Sequence, residues 1–239
     1  MAGAKQNSPP NMEAAAAFEK FLVPTIFGPW SKALINHAAT ISGEKVLDIG
    51  CGTGAAARYA AEIVGENGMV AAIDVNAGMI EFARNLVRKF SIDWRIADVD
   101  TLPFSDRSFN LVAGNQILQF LTDKPKALSE IQRVLFKDGR LALSVYCAIE
   151  LCPAHCAVAR ALEKFKVDPA GILHPYSFND PIILGDIIQN AGFRDVSVVR
   201  KTMESRFLSP EHFVQSLAAG GPSARHALEQ LNKSELVQV

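Results

Sequence analysis

The sequence has no long apolar run, almost no net charge and few cysteines, and each shortage removes a class of function. Apolar stretches such as Leu141–Val145 and Ile182–Leu184 fall far short of the roughly 20 residues that a membrane-crossing helix requires. Lys and Arg number 24 against 25 Asp and Glu, a formal net charge of −1. No basic cluster reaches the density that phosphate neutralisation needs, which argues against a nucleic-acid partner. The four cysteines, Cys51, Cys147, Cys152 and Cys156, make no paired C-x-x-C framework. The chain also opens without the charged, apolar and small-residue succession of a secretory leader, so reduced thiols and a cytoplasmic location are expected. The spacing of Cys147, Cys152 and Cys156 around His155 is not that of a zinc site and falls on helix-like apolar sequence. Inert buried thiols, and no metal, are the expectation there.

What is present suits one well-cored domain with decorations: 239 residues, of which 49% are hydrophobic. Met1–Pro10 reads as a polar lead, followed by an alanine-rich helix from Glu13 to about Leu22. Beyond Gly43, short apolar runs (Lys45–Gly50, Met69–Asp74, Asp93–Asp98, Phe109–Gly114, Arg140–Tyr146) alternate with helix-like segments (Ala55–Val64, Ala77–Phe90, Pro125–Leu135). That alternation predicts parallel strands joined by helical crossovers and covered on both faces. After Cys147 come a helix (His155–Phe165), a loop with Pro169, Gly171 and Pro175, a helix (Pro181–Asn190) and two strand-like runs (Phe193–Lys201, Met203–Leu208). Ser209 and Pro210 fit the N-cap and first position of a last helix.

In an open α/β sheet, ligands bind beyond the carboxyl ends of the strands. The first predicted strand, Val46-Leu47-Asp48-Ile49, runs into Gly50-Cys51-Gly52-Thr53-Gly54, where positions without side chains let a ligand approach the backbone at a helix N-terminus. The second strand ends at Asp74, at about the spacing where a carboxylate accepts from ribose hydroxyls. The third ends at Asp98, an acceptor suited to an adenine amino group, or else a turn aspartate before Thr101. The fourth ends at Gly114-Asn115-Gln116. The loop alone also satisfies a dinucleotide pattern, or an ordinary tight turn. Asp48 weighs against a dinucleotide, because a carboxylate would repel a pyrophosphate but attract an ammonium.

Val46–Gly54 resembles motif I of class I S-adenosylmethionine-dependent methyltransferases. The resemblance continues through Asp74–Met79, Ala97–Phe104, Glu130–Leu135 and Asp138–Leu141, covering roughly Lys45 to Tyr146. Its spacing is similar to the branch of ubiquinone and menaquinone biosynthesis methyltransferases, and Phe21–Pro24 with Gly28-Pro29-Trp30 is similar to that branch's lid-like amino-terminal segment. The resemblance implies S-adenosylmethionine as donor and S-adenosylhomocysteine as product. It implies that Asp48 and the backbone of Gly50, Cys51 and Gly52 hold the methionyl part, and that Asp74 takes the ribose. Val75 and Met79 would flank adenine, Asp98 and Val99 would bind its edge, and Asn115 and Gln116 would lie under the sulfonium. Phe27 and Trp30 would close over the donor, or else serve as amino-terminal core contacts.

The expected fold is α/β, a three-layer α/β/α sandwich with a doubly wound, mainly parallel, seven-stranded Rossmann-like sheet whose last strand, by the resemblance, is antiparallel. Residues 1–42 would form a helical lid. Residues 43–239 would form the donor-binding domain, with a substrate cap inserted at about 148–180. Apolar residues in that cap favour a small, partly hydrophobic acceptor. A hydroxyl or acidic-carbon acceptor needs a base, for which His174, His155, Tyr176 and Gln119 are candidates, His174 foremost; both histidines also have ordinary structural readings. Arg133 is expected to pair on a helix face or cap a carbonyl. The rival functions are a nicotinamide-dependent oxidoreductase and a catalytically silent cofactor-binding protein.

Overall fold

Alternate residues of each central strand point to opposite faces of the sheet, and here both sets are apolar. In a computed structural model, which describes residues 12–86, 89–221, 223–232 and 235, those strands pair as expected. They are β1 (Lys45–Ile49), β2 (Met69–Asp74), β3 (Ile92–Ile96), β4 (Phe109–Asn115) and β5 (Leu135–Ser144). All are parallel, in the order β3-β2-β1-β4-β5. The order reverses between β1 and β4, which opens a crevice at their carboxyl ends.

Val46, Val70, Ala72, Leu111 and Ala113 face α2 (Gly28–His37), α3 (Ala55–Val64) and α4 (Ala77–Leu86). Leu47, Ile49, Ala71, Ile73 and Val112 face the other way, onto Leu128 and Ile131 of α5 (Lys124–Val134), with Ile187 and Ile188 of α8 (Pro181–Asn190) packed alongside. Three layers result. A separate apolar cluster joins α1 (Met12–Ala17) and its continuation to α6 (Pro153–Lys164), α7 (Ala170–Leu173), α9 (Pro210–Gly220) and α10 (Arg225–Leu228). It reaches the carboxyl end of the sheet through Met79 and through Phe18, which lies beside Gly52.

Several boundaries move. The amino-terminal helix does not stop near Leu22; from Phe18 to Phe27 it continues with wide turns, its last link running from the Gly28 N–H to the Val23 carbonyl. Pro24 explains the widening, since it lacks an N–H and its ring displaces the carbonyl one turn back. Ser209 caps α9 as expected, accepting from the His212 N–H at 3.1 Å. The lead expected at Met1–Pro10 lies outside the described residues.

Among the described residues the sheet has five strands rather than seven. Phe193–Lys201 and Met203–Leu208 join no ladder, and Asp195 turns the first of them left-handed at φ 56°. The valine alternation that reads as a strand is there, yet Val198 and Val199 face solvent, and a cleft of about 2360 Å³ separates this segment from the unpaired edge of β5. Apolar patterning shows that a segment can be a strand. Pairing depends on a neighbouring backbone.

Arg133 takes both roles expected of it. Its guanidinium binds Glu130 through both carboxylate oxygens at 2.8 Å, reaches Asp106 at 2.8 Å, and donates to the carbonyls of Leu102 and Phe104. Glu130 in turn accepts from the Leu102 N–H at 2.9 Å, so one side chain fastens the loop after β3 to α5. Arg133→Met is expected to cost about 2 kcal/mol, read as a lower urea midpoint with unchanged slope.

Candidate functional site

Gly50 sits at φ 61°, the left-handed region that side chains avoid, and a Cβ there would meet the Ile117 side chain at 2.5 Å. Gly52 and Gly54 are also left-handed, and the three turn the chain from β1 straight into α3. Asp48 lies beneath this loop, 1% exposed, and accepts from the Ala57 N–H at 2.9 Å, satisfying the first turn of α3. Burial, helped by the nearby Asp74 carboxylate, raises its pKa to about 7.

Asp74 closes the loop from β2. Its Oδ2 accepts from the Gly52 N–H and its Oδ1 from the Asn76 N–H, both at 2.8 Å. Burial raises its pKa while these backbone donors pull the other way. Next along the sheet, the Ala97 N–H bonds the Asp74 carbonyl at 3.1 Å, which brings the end of β3 alongside. Asp98 there is exposed and accepts from the Asp100 N–H at 3.0 Å in a turn. Val99 is buried in the core, Met79 packs against the amino-terminal helices, and Val75 is 66% exposed. Asp48, Gly50, Cys51, Gly52 and Asp74 therefore form one tight group, with Asp98 at its edge.

At the end of β4, Gln116 is left-handed at φ 61° without being glycine, a strain that concentrates at functional sites. Asn115 accepts from the Ser144 hydroxyl at 2.7 Å and donates to Ser31 at 3.0 Å and to the Phe27 carbonyl at 3.3 Å. Its side chain ties β4 and β5 to α2. Gln119 is buried and donates to the Gln116 side chain at 3.1 Å, its own oxygen left without a donor.

The cleft beside β5 is also lined by Trp30, Gln116, Tyr146, His155 and Tyr176. Tyr146 and Tyr176 stack at 4.7 Å, and His155 lies 5.7 Å from Tyr176 and edge-on to Phe213 at 5.0 Å. Burial lowers the His155 pKa to about 4 and pushes both tyrosines up. Among the described residues the buried Tyr176 hydroxyl has no hydrogen-bond partner better than the Cys152 thiol, a weak one. His174 is exposed beside Phe120, at 5.5 Å, and does not line the cleft. The structure thus brings His155 and Tyr176 together and separates His174 from them. Phe27 and Trp30 also part: Phe27 stacks on Phe18 at 4.7 Å, whereas Trp30 lines the cleft.

Four contributors escape sequence reading: Phe18 against Gly52, Glu19 against the Thr53 hydroxyl, and Ser31 and Ser144 on the Asn115 side chain. Each comes from an element distant in sequence from the residue it touches, and none belongs to a recognisable pattern.

The family model described as "Methyltransferase domain" matches residues 41–178, more than half of the chain. The chain belongs to this methyltransferase domain family. It is 40% identical over 121 residues to aklanonic acid methyltransferase DauC of Streptomyces sp. (strain C5), covering 49% of this chain and 55% of that protein. It is 37% identical over 116 residues to the ubiquinone/menaquinone biosynthesis C-methyltransferase UbiE of Haemophilus ducreyi, covering 47% of this chain and 45% of that one. The chain spans about half the length of these curated relatives. A chain in a solved complex of the Haloferax volcanii Trm112 methyltransferase activator shares the fold. Its TM-score is 0.59 at 19% identity, over 87% of this chain and 93% of that one. Among the described residues, no helix is long and apolar enough to cross a membrane.

Proposed function

We propose that the chain transfers a methyl group from S-adenosylmethionine to a small, partly apolar acceptor, releasing S-adenosylhomocysteine. The observation that carries this reading is the Asp74 carboxylate bound to the Gly52 N–H at 2.8 Å. A loop that holds a pyrophosphate offers free backbone donors to it. Here the central donor is already given to a carboxylate, and a second carboxylate, Asp48, lies beneath. Two acidic groups with raised pKa values disfavour a polyanion and favour hydroxyls and a cation. Membership of the methyltransferase family supports the same donor.

In this reading Asp74 takes the ribose, the Gly50–Gly52 backbone with Asp48 takes the methionyl end, and Asp98 takes the adenine edge. Val75, Val99 and Met79 border the adenine, and Asn115 and Gln116 border the sulfonium. When bound, the donor supplies a methyl group already activated on sulfur, so the protein's work is alignment, desolvation and proton removal. Residues 148–180 act as the cap over the acceptor. Tyr146 and Tyr176 flank an apolar, flat part of it, and the Tyr176 hydroxyl bonds one of its oxygens. If the acceptor loses a proton, the His155 imidazole receives it; burial keeps that ring neutral above a pH of about 4. His155→Gln is expected to lower kcat about a hundredfold with donor affinity unchanged, whereas His174→Gln leaves kcat intact. The reverse pattern would move the base to His174. The reading as a whole is tested by incubating the protein with methyl-labelled donor and phenolic or keto acceptors: label should pass to an acceptor, and binding of the donor without any transfer would make this a silent cofactor-binding protein.

The Asp48 environment gives a second expectation. With a pKa of about 7 in the free protein, the carboxyl is about half protonated at neutral pH, and an arriving ammonium favours the charged form. Calorimetry of S-adenosylhomocysteine binding at pH 7, in buffers of different ionisation enthalpy, should show release of about half a proton, absent in Asp48→Asn. The same raised pKa stabilises the free fold below the unfolded value of about 4. That contribution is lost as pH rises through about 7.

A further inference from the structure

The glycine loop has one more charged partner, and it comes from the amino-terminal helical segment. Glu19 accepts from the Thr53 hydroxyl at 2.5 Å and pairs with Arg58 at 2.8 Å. Arg58 uses its other nitrogen to bind the Thr53 carbonyl at 2.6 Å. These three contacts close a ring around Thr53, which is fully buried, while the Glu19 and Arg58 side chains are each 19% exposed. The neighbouring Phe18 covers Gly52 and stacks on Phe27. Apart from a long hydrogen bond of 3.3 Å from the Asn115 amide to the Phe27 carbonyl at its far end, the segment's other attachments, through Ala15, Leu22 and Met79, are apolar. Such contacts hold surfaces together without fixing their register. The charged ring is directional and fixes where the segment sits along the loop.

We propose that Glu19 is a positioning residue of the donor site. Acting through Thr53 and Arg58, it holds Phe18–Phe27 over the Gly50–Gly54 loop and sets how fast donor and product leave. The proposal rests on the reading that this loop holds S-adenosylmethionine. A residue that only stabilised the fold would shift melting without touching release.

The test measures release of pre-bound S-adenosylhomocysteine by rapid mixing on wild type, Glu19→Gln, Arg58→Met and the double variant. Amide hydrogen exchange over Phe18–Phe27 is followed in the free proteins. Each single variant should release product about tenfold faster, because a charge-assisted contact is lost. The double variant should release it no faster than the singles, because the two residues act as one unit. Exchange over Phe18–Phe27 should accelerate in all three. A folded Glu19→Gln protein with wild-type release, or additive effects in the double variant, overturns the proposal. A wild type that does not bind S-adenosylhomocysteine overturns instead the donor reading, and the exchange data on the free proteins then decide whether Glu19 holds the segment.

Discussion

Replacing Asp74 with alanine is expected to weaken S-adenosylhomocysteine binding by about a hundredfold or more, while lowering stability by only about 1 kcal/mol. The two effects separate because the carboxylate sits in an awkward place for the free protein. Its burial is unfavourable, as the raised pKa records, and the N–H groups of Gly52 and Asn76 offset that cost. Removing the side chain leaves two donors unmatched but also relieves a buried charge, so the fold loses little. The ligand loses its only carboxylate at the end of β2, and the loop loses the bond that holds Gly52 in place. Calorimetry and urea denaturation on the same preparation measure both quantities. Equal loss of stability and affinity would mean that Asp74 is there to build the loop rather than to bind.

The second large effect falls on Gly54, at φ 84°, where α3 begins. A Cβ at this position would run into the Trp94 ring, which is held in the core between β2, β3 and α3. Gly54→Ala therefore combines a left-handed alanine with a clash against a large, fixed side chain, and is expected to cost at least about 3 kcal/mol. Gly43 provides the control. It has nearly the same dihedral, φ 85°, with nothing within 4 Å of an added Cβ, so Gly43→Ala should cost only the backbone penalty of about 1 kcal/mol. Urea denaturation of the two variants distinguishes strain from collision. Equal losses would show that Trp94 yields and that backbone conformation accounts for everything.

The core was legible because its rules are local. Short, nearly continuous apolar runs gave β1 and β2 within a residue of their observed positions, and Ser209 announces the helix it caps. The glycine loop was legible for the same reason: Asp48, the three glycines and Asp74 lie at strand ends whose positions follow from patterning. What stayed hidden depends on distant partners. Nothing in Phe193–Leu208 says whether a neighbouring backbone will be present to pair with it, and the segment stays unpaired. His155 lies on α6 and lines the cleft, whereas His174 opens a short turn and faces solvent; which of the two reaches the cleft depends on how α6 and that turn pack, and no local pattern encodes it. Glu19 meets Thr53 and Arg58 across more than thirty positions of sequence, through a helix whose wide turns come from Pro24.

The central claim is that this loop, edged by two carboxylates, accepts a zwitterionic adenosine ligand and rejects a pyrophosphate. Calorimetric titration of the wild-type protein with S-adenosylhomocysteine and, separately, with NADH tests it most directly. Saturable binding of S-adenosylhomocysteine with no heat from NADH is the predicted result; binding of NADH in preference to S-adenosylhomocysteine would contradict it and return the loop to the nicotinamide-dependent oxidoreductases.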